Sequence, residues 1–161
     1  GVVEMIREWP TGEDRELWVV GGPVDADYAR KISDAAREKQ DVQVRDERLS
    51  EEELAVWLCA ADAVLFRFHE VASSGSLCLA LGLGKAAVVP VHAARTVPEG
   101  MDALVRYYDP SEASGFANAV RSISPGADHS EMARKWRNDH DPRVGARILR
   151  DLYRRLAGGT S

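Results

Sequence analysis

Disulfide chemistry, membrane insertion and nucleic-acid binding are what this sequence is least equipped for. It has two cysteines, Cys59 and Cys78, each inside an apolar stretch, which fits core thiols in a reducing compartment and not a disulfide scaffold. Its longest apolar stretches, such as AVLF at 63–66 and AAVV at 86–89, fall far short of the roughly 20 residues that a bilayer demands. No secretory leader is visible, so a cytoplasmic location is expected. Cations are the minority charge: 21 Lys and Arg against 26 Asp and Glu leave a net charge of -5, no footprint for nucleic acid. Metal ligands are equally sparse, because His92, His129 and His140 have no partners at useful spacing. There is no internal repeat and no low-complexity segment.

What is present suffices for one core. A chain of 161 residues, 45% of them hydrophobic, fits a single domain over residues 1–161 but not the two lobes that a large cleft enzyme needs. The charge is unevenly placed. Residues 1–120 hold 12 basic and 21 acidic side chains, whereas residues 121–161 hold 9 and 5, so the tail is the basic part.

Hydrophobic spacing sets out alternating elements. Val2, Val3, Ile6 and Trp9 predict a helix ended by Pro10 and Gly12. LWVVGG at 17–22 reads as a buried parallel strand running into a glycine turn. Asp25 caps the next helix, with Ala26, Ala29, Ile32, Ala35 and Ala36 on its apolar face. VQVR at 42–45 is a strand. Ser50 and Glu53 form a capping box for an amphipathic helix through Leu54, Trp57, Leu58 and Ala61. AVLFRF at 63–68 is a strand, SLCLALGLG a helix, AAVVP at 86–90 a strand, 91–102 a loop and ALVRYY at 103–108 a last strand. Helices follow at 113–120, around Met132 and Trp136, and from Pro142 with Val144, Ile148, Leu152 and Leu156 on one stripe. This order predicts an α/β fold: a Rossmann-like parallel sheet with helices on both faces and a helical C-terminal segment. The chain begins with a helix, so one sheet edge is expected to be incomplete.

In such a sheet, ligands sit beyond the C-terminal strand ends, which places Gly21, Gly22, Arg45 and residues 69–76 on one rim. Residues 73–77 carry the strongest chemistry. A small-residue turn entering a helix directs several N–H groups at one point, and Ser73, Ser74 and Ser76 add hydroxyls, a pattern suited to phosphate. A plain serine N-cap with a packing glycine explains the same residues equally well. His69 and Glu70 can touch ligand hydroxyls or act as acid or base, or simply be solvated. Arg45 and Arg48 can neutralise phosphate or serve as surface charge. GLGKA at 82–86 is not a P-loop, since Ala86 stands where Ser or Thr binds magnesium and the motif ends a helix, as a C-cap does. Gly21–Gly22–Pro23 lacks dinucleotide-fingerprint spacing, so hydride transfer has no support. Asp139–His140–Asp141 ends one helix and caps the next. The arginines at 143, 147, 150, 154 and 155 form a solvated outer face more readily than a lipid-binding one.

The segments LWVVGG, VQVR, LSEEELAVWLCAADAVLFRFHEVASSGSLCLALGLGKAAVV and YYDPSEASGFANAV, in that order, resemble the C-terminal, donor-binding domain of GT-B glycosyltransferases of family 4, the group 1 glycosyltransferases. The likeness covers nearly all of the chain. GVVEMIREW is similar to the helix that in this family follows a first strand and a Lys-Gly turn. The resemblance implies one lobe of a GT-B fold whose substrate is a nucleotide-diphosphate sugar. Ser73, Ser74, Gly75, Ser76 and Leu77 would hold the diphosphate, with Gly21 and Gly22 beside it and His69 on the same rim. Arg45 would lie near the base. Glu70 matches the first acid of the family's E-x7-E motif and would be the catalytic residue. The second acid is replaced by Leu79, and SSGS with one extra residue replaces the glycine-aromatic-glycine between the acids. The resemblance further implies a hexosyl-type, metal-independent transferase without a cofactor. Its partner would be the N-terminal acceptor domain of the same enzyme, with peripheral membrane contact of the full enzyme left open. On that reading this chain binds donor without transferring it. The alternative is a non-catalytic sugar-nucleotide-sensing or assembly module, which Leu79 favours. A sugar-nucleotide epimerase lobe shares the same plan, and a signalling receiver domain fits worse because its acidic cluster and lysine are not at matching positions.

Overall fold

In the computed structural model, which describes residues 1–22, 25–69, 74–143, 146, 147 and 150, the chain alternates helix and strand as its periodicity requires. Helix α1 (Val2–Glu8) ends at Trp9, before the proline that cannot continue it, and buries Val3 and Ile6. Strand β1 (Leu17–Val20) leads to helix α2 (Ala26–Arg37), where the Asp25 carboxylate accepts the Tyr28 N–H at 2.8 Å and Ile32, Ala35 and Ala36 face inward. Strand β2 (Val42–Arg45) follows, then helix α3 (Glu51–Ala60), which starts with the expected capping box: Ser50 and Glu53 each accept the other's N–H. Those bonds, the Ser50 N–H first, hold the Glu53 carboxyl below its usual range.

Strand β3 (Ala63–Leu65) is shorter than the six residues AVLFRF suggested, although the Phe66 N–H still bonds to the Val88 carbonyl at 2.9 Å. Helix α4 (Gly75–Gly82) then precedes strand β4 (Ala86–Pro90), whose residues are all buried. GLGKA is a helix C-cap: Gly84 turns the chain at φ +77°, and the Lys85 ammonium donates to the Cys59 carbonyl at 2.7 Å. The expected loop at 91–102 contains a 3-10 helix, Val91–Thr96, and a second one, Asp102–Leu104, delays strand β5 (Val105–Tyr108). Helices α5 (Gly115–Arg121) and α6 (Ser130–Asp139) complete the labelled elements. The Asp141 carboxylate accepts the Arg143 N–H at 2.8 Å, the cap expected there, whereas Val144, Ile148, Leu152 and Leu156 lie outside the described residues.

All strand pairs are parallel, but they form two ladders, β1–β2 and β3–β4–β5, where one sheet was expected. One core still joins them. Val3, Ile6 and Trp9 of the α1 segment pack with Leu17 and Val42 of the first ladder and with Ala86 and Val88 of the second, together with α2 and α5. The alternate residues, Ala87, Val89, Val105 and Phe66, face α4 and α6 on the opposite side. Helices thus cover both faces of a Rossmann-like α/β fold.

Two expectations about burial fail on α3. None of its residues is buried, and the Trp18 ring that Trp57 packs against, at 5.0 Å between ring centres, is itself 47% exposed. Leu54 and Val56 are exposed, and Cys59, read from the sequence as a core thiol, is exposed as well. Cys78 is half-buried on α4.

Candidate functional site

The parallel strands bring their carboxyl ends to one rim within each ladder. At the first, the Gly21 N–H donates to the Arg45 carbonyl at 3.1 Å, which ties the end of β1 to the end of β2. Gly21 has φ +131°, a conformation that a side chain at this position would strain. Gly22 stands against the Arg48 backbone, where an added Cβ would come within 3.5 Å of the Arg48 nitrogen, an ordinary contact. Sequence reasoning placed both glycines correctly at a strand end.

Arg45, at the end of β2, has intramolecular partners of its own. Its guanidinium pairs with Glu47 and, at 3.3 Å, with Glu53, and it lies 6.0 Å from the centre of the Trp57 ring. Glu47 and Glu53 hold its pKa above the ordinary value, so this charge is shared between two carboxylates before any ligand arrives.

At the second ladder, the turn into α4 has the geometry of a capped helix start. The Ser74 hydroxyl accepts the Leu77 N–H at 3.2 Å, and the Ser74 carbonyl accepts the Cys78 N–H at 3.1 Å. Both readings of this serine therefore meet in one residue: it is an N-cap, and it sits at a helix end whose first N–H groups have no intrahelical acceptor. Gly75 and Ser76 are exposed, and an added Cβ at Gly75 meets nothing within 4 Å. The Leu77 side chain is fully buried, so only its backbone belongs to the rim. His69 is exposed. Glu70 and Ser73 lie outside the described residues.

The structure adds neighbours that the sequence did not single out. His92, just beyond β4, has its Nε2 2.8 Å from the Phe68 carbonyl, and so braces the segment leading to His69. Tyr108, at the end of β5, donates its hydroxyl to the Phe66 carbonyl at 3.2 Å, and burial pushes its pKa up to about 12. Asp109 follows; the Ser111 hydroxyl and N–H hold its carboxyl below the usual range. Arg67 pairs with Glu8 of α1 at 2.6 Å. No short-range pattern announces the contacts of His92, Tyr108 and Arg67, because each joins residues distant in sequence. An open depression of about 550 Å³ lies between the end of β5 and α5, lined by Tyr108, Asp109, Glu112, Asn118 and Ser122 among others, and none of the expected rim residues lines it. Among the described residues, no group of three His, Cys, Asp or Glu could hold a metal ion, and no helix is long and apolar enough to cross a membrane.

With the rim in place, comparison with solved structures supplies one match of note. The chain is similar in fold to sucrose-phosphate synthase from Thermosynechococcus elongatus. The two superpose with a TM-score of 0.69 at 20% identity, over 99% of this chain and 43% of that protein. At this identity the likeness is one of fold, and the chain spans less than half the length of the protein it matches. No protein-family model matches the sequence, and no curated protein does either.

Proposed function

We propose that the chain is the donor-binding lobe of a GT-B glycosyltransferase, which holds a nucleotide-diphosphate sugar while a separate N-terminal lobe supplies the acceptor site. The observation that carries this reading is the start of α4. Gly75 and Ser76 present open N–H groups at a helix N-terminus beyond a parallel strand, in a fold similar to part of a sucrose-phosphate synthase. Transfer breaks the bond between the anomeric carbon and the diphosphate oxygen, and negative charge grows on that leaving oxygen. Aligned N–H dipoles stabilise such charge without a cation, which makes metal-independent hexosyl transfer the chemistry best suited to this rim. Gly21 and Gly22 let the ligand approach the backbone closely, and Ser73 and Glu70 complete the site in this proposal. The isolated lobe binds donor and does not turn it over.

Leu79 supports a second reading, a sensing or assembly module without catalysis. It is 47% exposed on α4, at the position where the family's second acid would stand. Calorimetric titration with UDP-, GDP-, ADP- and dTDP-sugars tests the first reading, with Gly75→Val as control. The fold has room for that valine, since nothing lies within 4 Å of the added Cβ. Binding of one nucleotide sugar, lost in the control with an unchanged melting temperature, is expected. Absence of binding to every sugar, both by this chain and by one joined to an acceptor lobe, would overturn it.

A further inference from the structure

Beyond β3 the chain passes from ladder hydrogen bonds to side-chain control. The Phe66 N–H still bonds to the Val88 carbonyl, and the next contacts come from three different elements. Tyr108 of β5 donates to the Phe66 carbonyl at 3.2 Å, and Glu8 of α1 pairs with Arg67 at 2.6 Å. His92, in the 3-10 helix after β4, has its Nε2 2.8 Å from the Phe68 carbonyl. That carbonyl belongs to the peptide unit that carries the His69 N–H.

Burial separates the third contact from the other two. Tyr108 is 3% exposed and the Arg67 side chain 13%, so both are tied to the core, whereas His92 is exposed and fills no core space. Its base is nevertheless firm, because the neighbouring Ala93 is fully buried and its carbonyl accepts the Thr96 hydroxyl at 2.7 Å. Phe68 is anchored through its ring, which stacks on Phe66 with 5.2 Å between centres. A carbonyl can only accept, so Nε2 carries the proton in the bond to Phe68. Asp109, the residue after β5, lies close enough to His92 for their charges to interact, and the Ser111 N–H and hydroxyl hold its carboxylate at 2.8 and 2.7 Å. His92 therefore stands among the exits of β3, β4 and β5.

We propose that His92 is a positioning residue for the rim: its Nε2–H fixes the Phe68 carbonyl and so sets the course on which the chain leaves β3 for His69, while Asp109 orients the ring. The effect on donor rests on the donor-binding reading above; the fixing of the peptide before His69 does not. Removing the imidazole frees that peptide and leaves the buried contacts of Phe66 and Arg67 in place.

The test compares wild type with His92→Gln and His92→Leu. Glutamine can bring an amide N–H near the place of Nε2–H, whereas leucine has similar bulk and no donor. Imidazole nitrogen shifts, the backbone order parameter of His69 and calorimetric titration with the same nucleotide sugars are read beside the melting temperature. Wild type is expected to carry the proton on Nε2. His69 should be rigid, with an order parameter of about 0.85, in wild type and His92→Gln, and fall below about 0.6 in His92→Leu. Donor binding should weaken at least ~10-fold in His92→Leu and stay within about 3-fold in His92→Gln, at an unchanged melting temperature. A neutral ring protonated on Nδ1, equal order at His69 in all three proteins, or His92→Gln as disordered as His92→Leu overturns the proposal. So does unaltered donor affinity when His69 is freed. If wild type binds no nucleotide sugar while His69 follows the expected pattern, the fixing role is upheld and the donor-binding reading alone falls.

Discussion

Replacing Ser74 separates a hydroxyl that serves the helix from one that serves a ligand. Its Oγ accepts the Leu77 N–H at 3.2 Å, and the turn it closes carries Leu77, which is 0% exposed, into the core. Loss of an N-cap of this kind costs about 1 kcal/mol for alanine and only a few tenths for glycine. In a domain of roughly 150–250 residues, 1 kcal/mol moves Tm by about 2–4 °C. Thermal unfolding should therefore rank the wild type slightly above Ser74→Gly and both clearly above Ser74→Ala. Calorimetry on the same proteins then asks about the ligand. The cap uses the hydroxyl only as an acceptor; on the reading that its O–H does not also donate to the ligand, Ser74→Ala should weaken donor binding by no more than about 3-fold, less than the ~10-fold that a net loss of 1.4 kcal/mol would bring. An alanine variant as stable as the glycine one would refute the capping argument. A loss of binding well beyond tenfold with little change in Tm would show instead that the hydroxyl reaches the diphosphate.

Three other substitutions probe different parts of the chain. Ile6→Ala removes a fully buried side chain from the core that both ladders share, and should cost roughly 2–5 kcal/mol in urea unfolding while also weakening donor binding on the proposed reading, since Gly21 and Ser74 belong to different ladders joined through that core. Tyr108 has a folded pKa raised to about 12 from 10.0, so its contribution to stability is complete below pH 10 and is lost as pH rises from 10 towards 12; Tyr108→Phe should flatten that part of the pH profile measured by urea unfolding. In the two-lobed transferase proposed above, Glu70→Ala should lower turnover by at least ~10²-fold, and unchanged steady-state rates would remove Glu70 from the proposed site.

The elements were legible because their signals are local. Asp25, Ser50 and Ser74 cap helices at the positions where their sequences ask for caps, and Gly84 ends α4 as a glycine in a left-handed turn does. Burial was less legible where it depends on distant partners. Leu54, Trp57, Leu58 and Cys59 spell a core-facing helix, but a helix is buried only as deeply as the surface beneath it allows, and Trp18, the ring that Trp57 meets, is itself half-exposed. The partners of Arg45 were not legible for a similar reason. A strand-end arginine looks available for phosphate until the fold sets Glu47 and Glu53 beside it. His92, Tyr108 and Arg67 were missed as rim neighbours because their contacts with Phe68, Phe66 and Glu8 cross elements.

The two ladders and the proposed site bear on each other. Gly21 and Gly22 belong to β1–β2, while the α4 start belongs to β3–β4–β5, so no strand hydrogen bond fixes the distance between the two halves of the rim. What joins them is side-chain packing under α1 and the contacts of Gly1 with Tyr28 and Arg67. Packing of that kind tolerates small shifts, whereas a shared ladder sets strand spacing to a few tenths of an ångström. A diphosphate that must touch both halves needs the tighter control, since misplacement by about 1 Å costs a charge-stabilising site much of its effect. Loosening that packing should therefore weaken donor binding as well as stability, and Ile6→Ala, read by calorimetry beside urea unfolding, ties the geometry of the core to the strength of the proposed site.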